Sequence, residues 1–247
     1  GEAEAHARRL AREGRTDGVI CSSEAVSRSR MKELTQLAES ENIPVVLLQE
    51  RKRSHGVHSI TARDEDGVAE AVKHLAGLGH RSLALVTVKP LWPGPVRRAA
   101  AFFKETREAG LAAEEWCCDE FSANGVRYRI HPELARRDRP TAIIAVSDTI
   151  AMAVIQKCLE MGIRVPQDCS VVGFGDLDIA RHFRPAITTV RIPAVEMGAS
   201  AVDLIAKLAA GETYDGPTNL EVEFLAREST GPLRRSASIR RTSSLVG

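Results

Sequence analysis

Apolar positions recur along this chain with two different periods, and the periods alternate. Residues 19–21, 43–48, 82–88, 141–146, 170–172 and 186–190 form short, nearly continuous apolar runs, many bounded by Gly, Pro, Asn or Asp. Runs of that length between turn signals suit strands buried on both faces of a parallel sheet. Between them, residues 2–13, 30–40, 68–78, 96–109, 148–161 and 194–210 space their apolar side chains as helices do; Met31, Leu34, Leu37 and Ala38 are one such set. Local chemistry supports the helix ends. Acids Asp64, Glu65 and Asp66 open one helix, where the dipole favours negative charge. Ser147 or Asp148 caps another, Pro193 sits in a first turn, and Gly79, Gly162 and Gly211 follow helix ends. Residues 57–60 and 116–118 read as short strands and 219–225 as an alternating edge strand. Residues 124–137 are weakly helical because Pro132 interrupts them. Strand–helix alternation of this kind predicts an α/β fold with doubly wound parallel sheets.

The densest signal lies in residues 168–176, where the apolar triplet Ser170–Val172 is followed by Gly173, Phe174, Gly175 and Asp176. Glycines allow a sharp turn at the strand's carboxyl end, and open α/β sheets bind ligands outside those ends. Phe174, Gly175 and Asp176 are therefore expected at a crevice, as are Ser147 and Asp148 after the run 141–146, and Ser22 after 19–21. Arg97 and Arg98 fall in the first turn of the helix predicted at 96–109. Positive charge conflicts with the dipole there, and such local conflicts often mark function.

Composition narrows the class. The 247 residues are 43% apolar and 27% charged with a net charge of +1, which argues against a bulk field for nucleic acid or membrane. No apolar run approaches the length of a bilayer span, and the polar start lacks a secretory core. The five cysteines lack metal-site spacing and read as reduced, mostly buried thiols of a cytosolic protein. No hydrolase elbow, phosphate-binding loop or zinc motif is present, so no enzyme, cofactor or metal is expected. His80 reads as a turn histidine rather than a catalytic one. The basic stretch 231–247, without apolar period, reads as a disordered tail.

Several segments carry a resemblance. Residues 140–148, 165–174 and 185–190, with 16–20, 43–48, the Gly-His-Arg turn at 79–81, 109–111 and the Ala-Arg-Glu-Ser-Thr run at 226–230, resemble the effector-binding part of LacI/GalR-family transcriptional regulators, in family order over nearly the whole chain. The resemblance implies two lobes of the periplasmic-binding-protein-like type around a cleft. It places residues 1–89 and 191–213 in a first lobe and 90–190 and 214–230 in a second, with crossings near 89–95, 190–193 and 213–217. It implies a first lobe lacking its opening strand–helix–strand, with unpaired strand edges. No helix-turn-helix reader is found, so operator DNA would be reached only through a segment absent here; a homodimer and a small-molecule effector are implied as partners.

The resemblance also carries the site. Arg98 matches an arginine that forks onto ligand oxygens, Phe121 an aromatic that stacks on a sugar face, and Ser147 with Asp148 an Asn-Asp pair. Gln49 and Gly175 stand where the family places acids, with Asp176 next in line; Ser22 lies at a strand end facing the cleft. Losing two acids while keeping Arg98 points to a sugar acid or phosphorylated sugar as well as a neutral sugar. A periplasmic-type sugar-binding transport component is the alternative reading.

Overall fold

In the computed structural model, which describes residues 2–22, 28–49, 51, 56–89, 93–119, 122–214 and 218–233, the alternating elements build two separate parallel sheets. In chain order they are α1 (Glu2–Arg12), β1 (Val19–Ser22), α2 (Arg28–Glu41), β2 (Val45–Leu48), β3 (Val57–Ala62), α3 (Asp64–Gly77), β4 (Ser82–Val88), α4 (Pro93–Glu108) and β5 (Ala112–Cys118). There follow α5 (Ala123–Ala135), β6 (Ala142–Ala145), α6 (Asp148–Glu160), β7 (Ser170–Val172), α7 (Asp178–His182), β8 (Thr189–Arg191), α8 (Ala194–Ala209), β9 (Asn219–Leu220) and β10 (Glu223–Leu225).

The first sheet has the order β1-β2-β3-β9, all parallel. Successive side chains of a strand face opposite ways, so β2 serves two cores. Val45 and Leu47 pack with Leu34 and Ala38 of α2, while Val46 packs with Met197, Ala201 and Leu204 of α8. β1 forms the edge, and its Ile20 is 40% exposed. The second sheet, β5-β4-β6-β7, is also parallel and covered on both faces. Its core joins Leu83, Leu85, Ile143 and Val171 to Leu75 of α3, Phe102 of α4, Ile130 of α5 and Val154 of α6.

The chain crosses between lobes at places that differ from two of the three expected. β4 pairs with β5 and β6, and α3 buries Val68, Val72 and Leu75 in the second core. Residues 64–89 therefore belong to the second lobe, and the first crossing is at Ala62–Asp64 rather than at 89–95. Pro93 to Pro95, at the end of the stretch expected to cross, instead open α4. The second crossing follows β8, at Arg191–Pro193. The third separates β9, paired with β3, from β10, paired antiparallel with β8, so it lies at Glu221–Val222 rather than at 213–217. The single edge strand read at 219–225 is thus two short strands in different sheets. An alternating pattern shows that one face is buried, not which sheet receives it.

Other differences are local. β5 begins at Ala112, although residues 112–115 hold two glutamates; its backbone pairs along the whole of β4, and an edge strand needs only one buried side. α5 keeps Pro132 within it because Val126, Ile130 and Leu134 bury a continuous face and Ser122 caps it by accepting from Gly125 N. α4 starts at Pro93, three residues early, which moves Arg97 and Arg98 out of the first turn. Gly231 and Leu233 do not belong to a tail: Gly231 O accepts from His80 and Leu233 N donates to Leu78 O. Residues 234–247 lie outside the described residues.

Candidate functional site

Both sheets point their carboxyl ends at one cleft of about 560 Å³. Ser22 ends β1, Leu48 and Gln49 end β2, Val88 ends β4, and Val146 with Ser147 follow β6. Phe174 and Gly175 follow β7. Ile192 from the second crossing and Ala194 with Met197 of α8 close one side, and Pro95 with Arg98 of α4 close the other. Gln49 and Gly175 leave their strands with positive φ, +66° and +128°. The second of these suits glycine because a side chain is strained there.

Arg98 is the lining residue with a formal charge among the described residues, and it is 8% exposed. Its orientation is heavily determined. Nη1 donates to Val146 O at 2.7 Å, Nε donates to Asp64 Oδ2 at 3.3 Å, and the guanidinium carbon lies 3.8 Å from the centre of the Phe174 ring. Asp64 is completely buried. Burial pushes its carboxyl up from the usual range, while the charges of Arg98 and Arg97 pull it back. Arg97, next to Arg98, also donates to Asp64 Oδ2 at 3.4 Å and to Gln49 O in the first lobe at 3.2 Å.

The other predicted residues separate into groups. Ser22, Gln49, Ser147, Gly175 and Arg98 line the cleft. The Ser147 side chain caps α6, accepting from Ile150 N at 3.3 Å. Asp148 does not line the cleft. It is completely buried, its Oδ1 accepting from Thr189 Oγ1 at 2.6 Å and its Oδ2 from Leu177 N at 2.8 Å. Burial raises its pKa and these two hydrogen bonds oppose the rise. It holds the turn after β7 in place.

Asp176 is also turned away. Its side chain is 1% exposed and accepts from Arg181, Arg191 and Arg227 at 3.0, 2.8 and 2.5 Å. Burial works against its charge, but hydrogen bonds from Arg227, Arg181 and Arg191 prevail and bring it down to about 2. It is therefore committed beside the second crossing rather than available to replace the acid missing at Gly175. Phe121 lies outside the described residues, and the aromatic ring on the described wall is Phe174.

Thr149, Leu177, Met197 and Ile192 line the cleft without having been expected there. Leu177 and Thr149 follow residues already singled out; Met197 and Ile192 carry no local signal. In the sequence Asp64 stands out only as an acid suited to a helix start. Its pairing with Arg98, 34 positions away, is a product of folding.

Comparison with known proteins agrees with this architecture. The family model described as a periplasmic binding protein-like domain matches residues 72–230. The HTH-type transcriptional regulator DegA of Bacillus subtilis is 32% identical over 89% of this chain and 65% of its own length. The HTH-type transcriptional repressor PurR of Aliivibrio salmonicida is 27% identical over 81% and 60%. The chain thus spans less than two thirds of the length of these two relatives. Among solved structures, a LacI family transcriptional regulator from Enterococcus faecium with bound ribose superposes with a TM-score of 0.80 at 25% identity, over 93% of this chain and 84% of that one. The chain belongs to the periplasmic-binding-protein-like family, in the form that serves LacI-type transcriptional regulators as their effector-binding domain.

Proposed function

We propose that the cleft binds one small polyhydroxylated effector, a sugar, sugar acid or sugar phosphate, and that its occupancy controls operator binding by the regulator carrying this domain, acting as a cytoplasmic homodimer. The observation that carries this reading is Arg98. It is a buried guanidinium held at a fixed angle on the wall of a cleft sized for a single small molecule. Planar forks of this kind match vicinal oxygens and carboxylates. Apolar Leu48, Val88 and Ile192 suit the carbon faces of a sugar, and Ser22, Gln49 and Thr149 offer hydrogen bonds to hydroxyls. The ribose held by the Enterococcus faecium neighbour supports the ligand class.

Charge favours the acidic members of that class. No Asp or Glu lines the cleft among the described residues, and Asp148 and Asp176 are spent on other partners. Arg97 and Arg98 both pair with the carboxylate of Asp64, and the charge that Arg98 brings to the described wall of the cleft is positive. A charge-assisted hydrogen bond contributes roughly 1.5–3 kcal/mol, enough for tenfold selectivity or more. Calorimetric titration with D-gluconate, D-glucose and D-ribose tests both parts. Gluconate is expected to bind at least tenfold more tightly than glucose. Equal or weaker gluconate binding would remove the preference for acids, and no heat from any of the three would sink the sugar reading.

A further inference from the structure

Arg97 does not itself line the cleft, yet it spans the two lobes. It rides on α4 of the second lobe and donates to the backbone carbonyl of Gln49, at the end of β2 in the first. Its other arm reaches Asp64, which sits at the first crossing between β3 and α3. Asp64 Oδ2 is the acceptor for Arg98 Nε as well. One oxygen of one completely buried carboxylate thus joins the arginine of the cleft to the arginine that bridges the lobes.

The same junction holds unmet hydrogen-bonding capacity. Of five buried side-chain polar atoms without a partner among the described residues, Gln49 Oε1, Asp64 Oδ1 and Arg97 Nε belong to this cluster. Buried polar atoms are costly to leave without partners and call for an explanation. An arrangement that a change in lobe spacing can relieve supplies one, and packed junctions of this kind tend to switch between discrete arrangements rather than stretch.

We propose that Asp64 is the positioning residue of the cleft and that, by sharing one oxygen between Arg98 and Arg97, it couples the cleft to the spacing of the lobes. A group that draws Arg98 towards itself releases Oδ2 to Arg97 and alters its hold on Gln49. Opening the lobes withdraws Gln49 and returns Arg97 to compete for the same oxygen. Coupling of this kind acts equally in both directions. A second pair across the lobes, Arg51 with Glu65, makes two hydrogen bonds of 2.6 and 2.7 Å between side chains 44% and 37% exposed; it reaches neither Asp64 nor Arg97 in these bonds and serves as a control for a lobe-spanning pair weakened by solvent.

The test is made on the ligand-free chain, so its outcome does not depend on what the cleft binds. Spin labels on α5 and α8, attached by chemistry that spares the five cysteines, report the distance between lobes by pulsed dipolar spectroscopy. Asp64→Asn and Arg97→Met are each expected to move the distance distribution by more than its wild-type width. Arg97→Lys, which keeps the charge without the fork, is expected to fall between, and Arg51→Ala to leave it in place. If Asp64→Asn does not fold, Arg97→Met and Arg97→Lys carry the test. An unchanged distribution in folded Arg97→Met overturns the proposal, as does an equal shift in Arg51→Ala.

Discussion

The guanidinium of Arg98 lies over the ring of Phe174, 3.8 Å from its centre, so a residue of α4 and a residue following β7 form one surface of the cleft. The ring attracts the cation and shields one of its faces. The arginine's directed hydrogen bonds then fix its angle, and Val146 O and Asp64 Oδ2 take two of them.

Replacing Arg98 by lysine keeps a positive charge but removes the planar fork and the stacking. Arg98→Lys is expected to weaken D-gluconate binding by about tenfold to a hundredfold, the worth of one charge-assisted hydrogen bond. Calorimetry beside a thermal melt separates lost affinity from lost folding. Wild-type affinity in a folded Arg98→Lys protein would remove this residue from the site.

A side chain at Gly173 would collide with Asp148 Oδ1, which is itself pinned by Thr189 Oγ1 at 2.6 Å. Gly173 N also donates to Thr188 O. Gly173→Ala is therefore expected to cost about 1–3 kcal/mol, as overpacked sites do. Urea unfolding measures it. An unshifted midpoint would mean that Asp148 moves aside freely and that the turn after β7 is less constrained than its contacts imply.

Asp176 holds a positive φ of 55°, a conformation that asparagine also accepts. Asp176→Asn thus removes the charge with little change in backbone preference, leaving Arg181, Arg191 and Arg227 without their shared anion. A loss on the order of 2 kcal/mol is expected at neutral pH, the linkage equivalent of a carboxyl held below its ordinary range. The folded carboxyl titrates near 2, below its ordinary 3.8. The charge therefore contributes fully above 3.8, and its contribution fades as pH falls through about 2. Wild type and variant are expected to converge there in acid unfolding; a gap that persists at that pH would place the effect in packing instead.

His80 is 1% exposed, with Nδ1 on Thr141 Oγ1 and Nε2 on Ser170 Oγ and Gly231 O. Burial lowers its pKa below the usual 6.5, and the bond to Gly231 O only partly opposes this. The unfolded chain then binds a proton more readily than the folded one, so stability falls as pH drops through the mid-6 region towards the lower folded value. His80→Gln, which can keep hydrogen bonds without titrating there, is expected to flatten that part of the stability profile. Parallel wild-type and variant profiles between pH 7 and 5 would contradict this assignment.

Much of the second lobe is legible before folding because its signals are local. Ser170–Val172 is an apolar triplet between breakers and becomes β7; Ser147 precedes an apolar helix and caps α6. Gly175, Ser147 and Ser22 reach the cleft because a residue just past a parallel strand can hardly go elsewhere. Asp148 and Asp176 follow the same rule in sequence but not in space. Neighbours on β8 and beyond β10 capture their carboxylates, and a carboxylate goes to the partners that compensate its burial.

Hydrophobic period, turn residues and caps were enough to assign most strands and helices, because each acts within a few positions of itself. The α/β class and the position of a cleft at strand ends followed from them. Folding alone decided which sheet each strand joins, that 219–225 divides between lobes, and that Asp64 stands behind Arg98. Those outcomes depend on pairing and charge compensation between residues tens of positions apart. The energy of such contacts is set by geometry that no local pattern encodes.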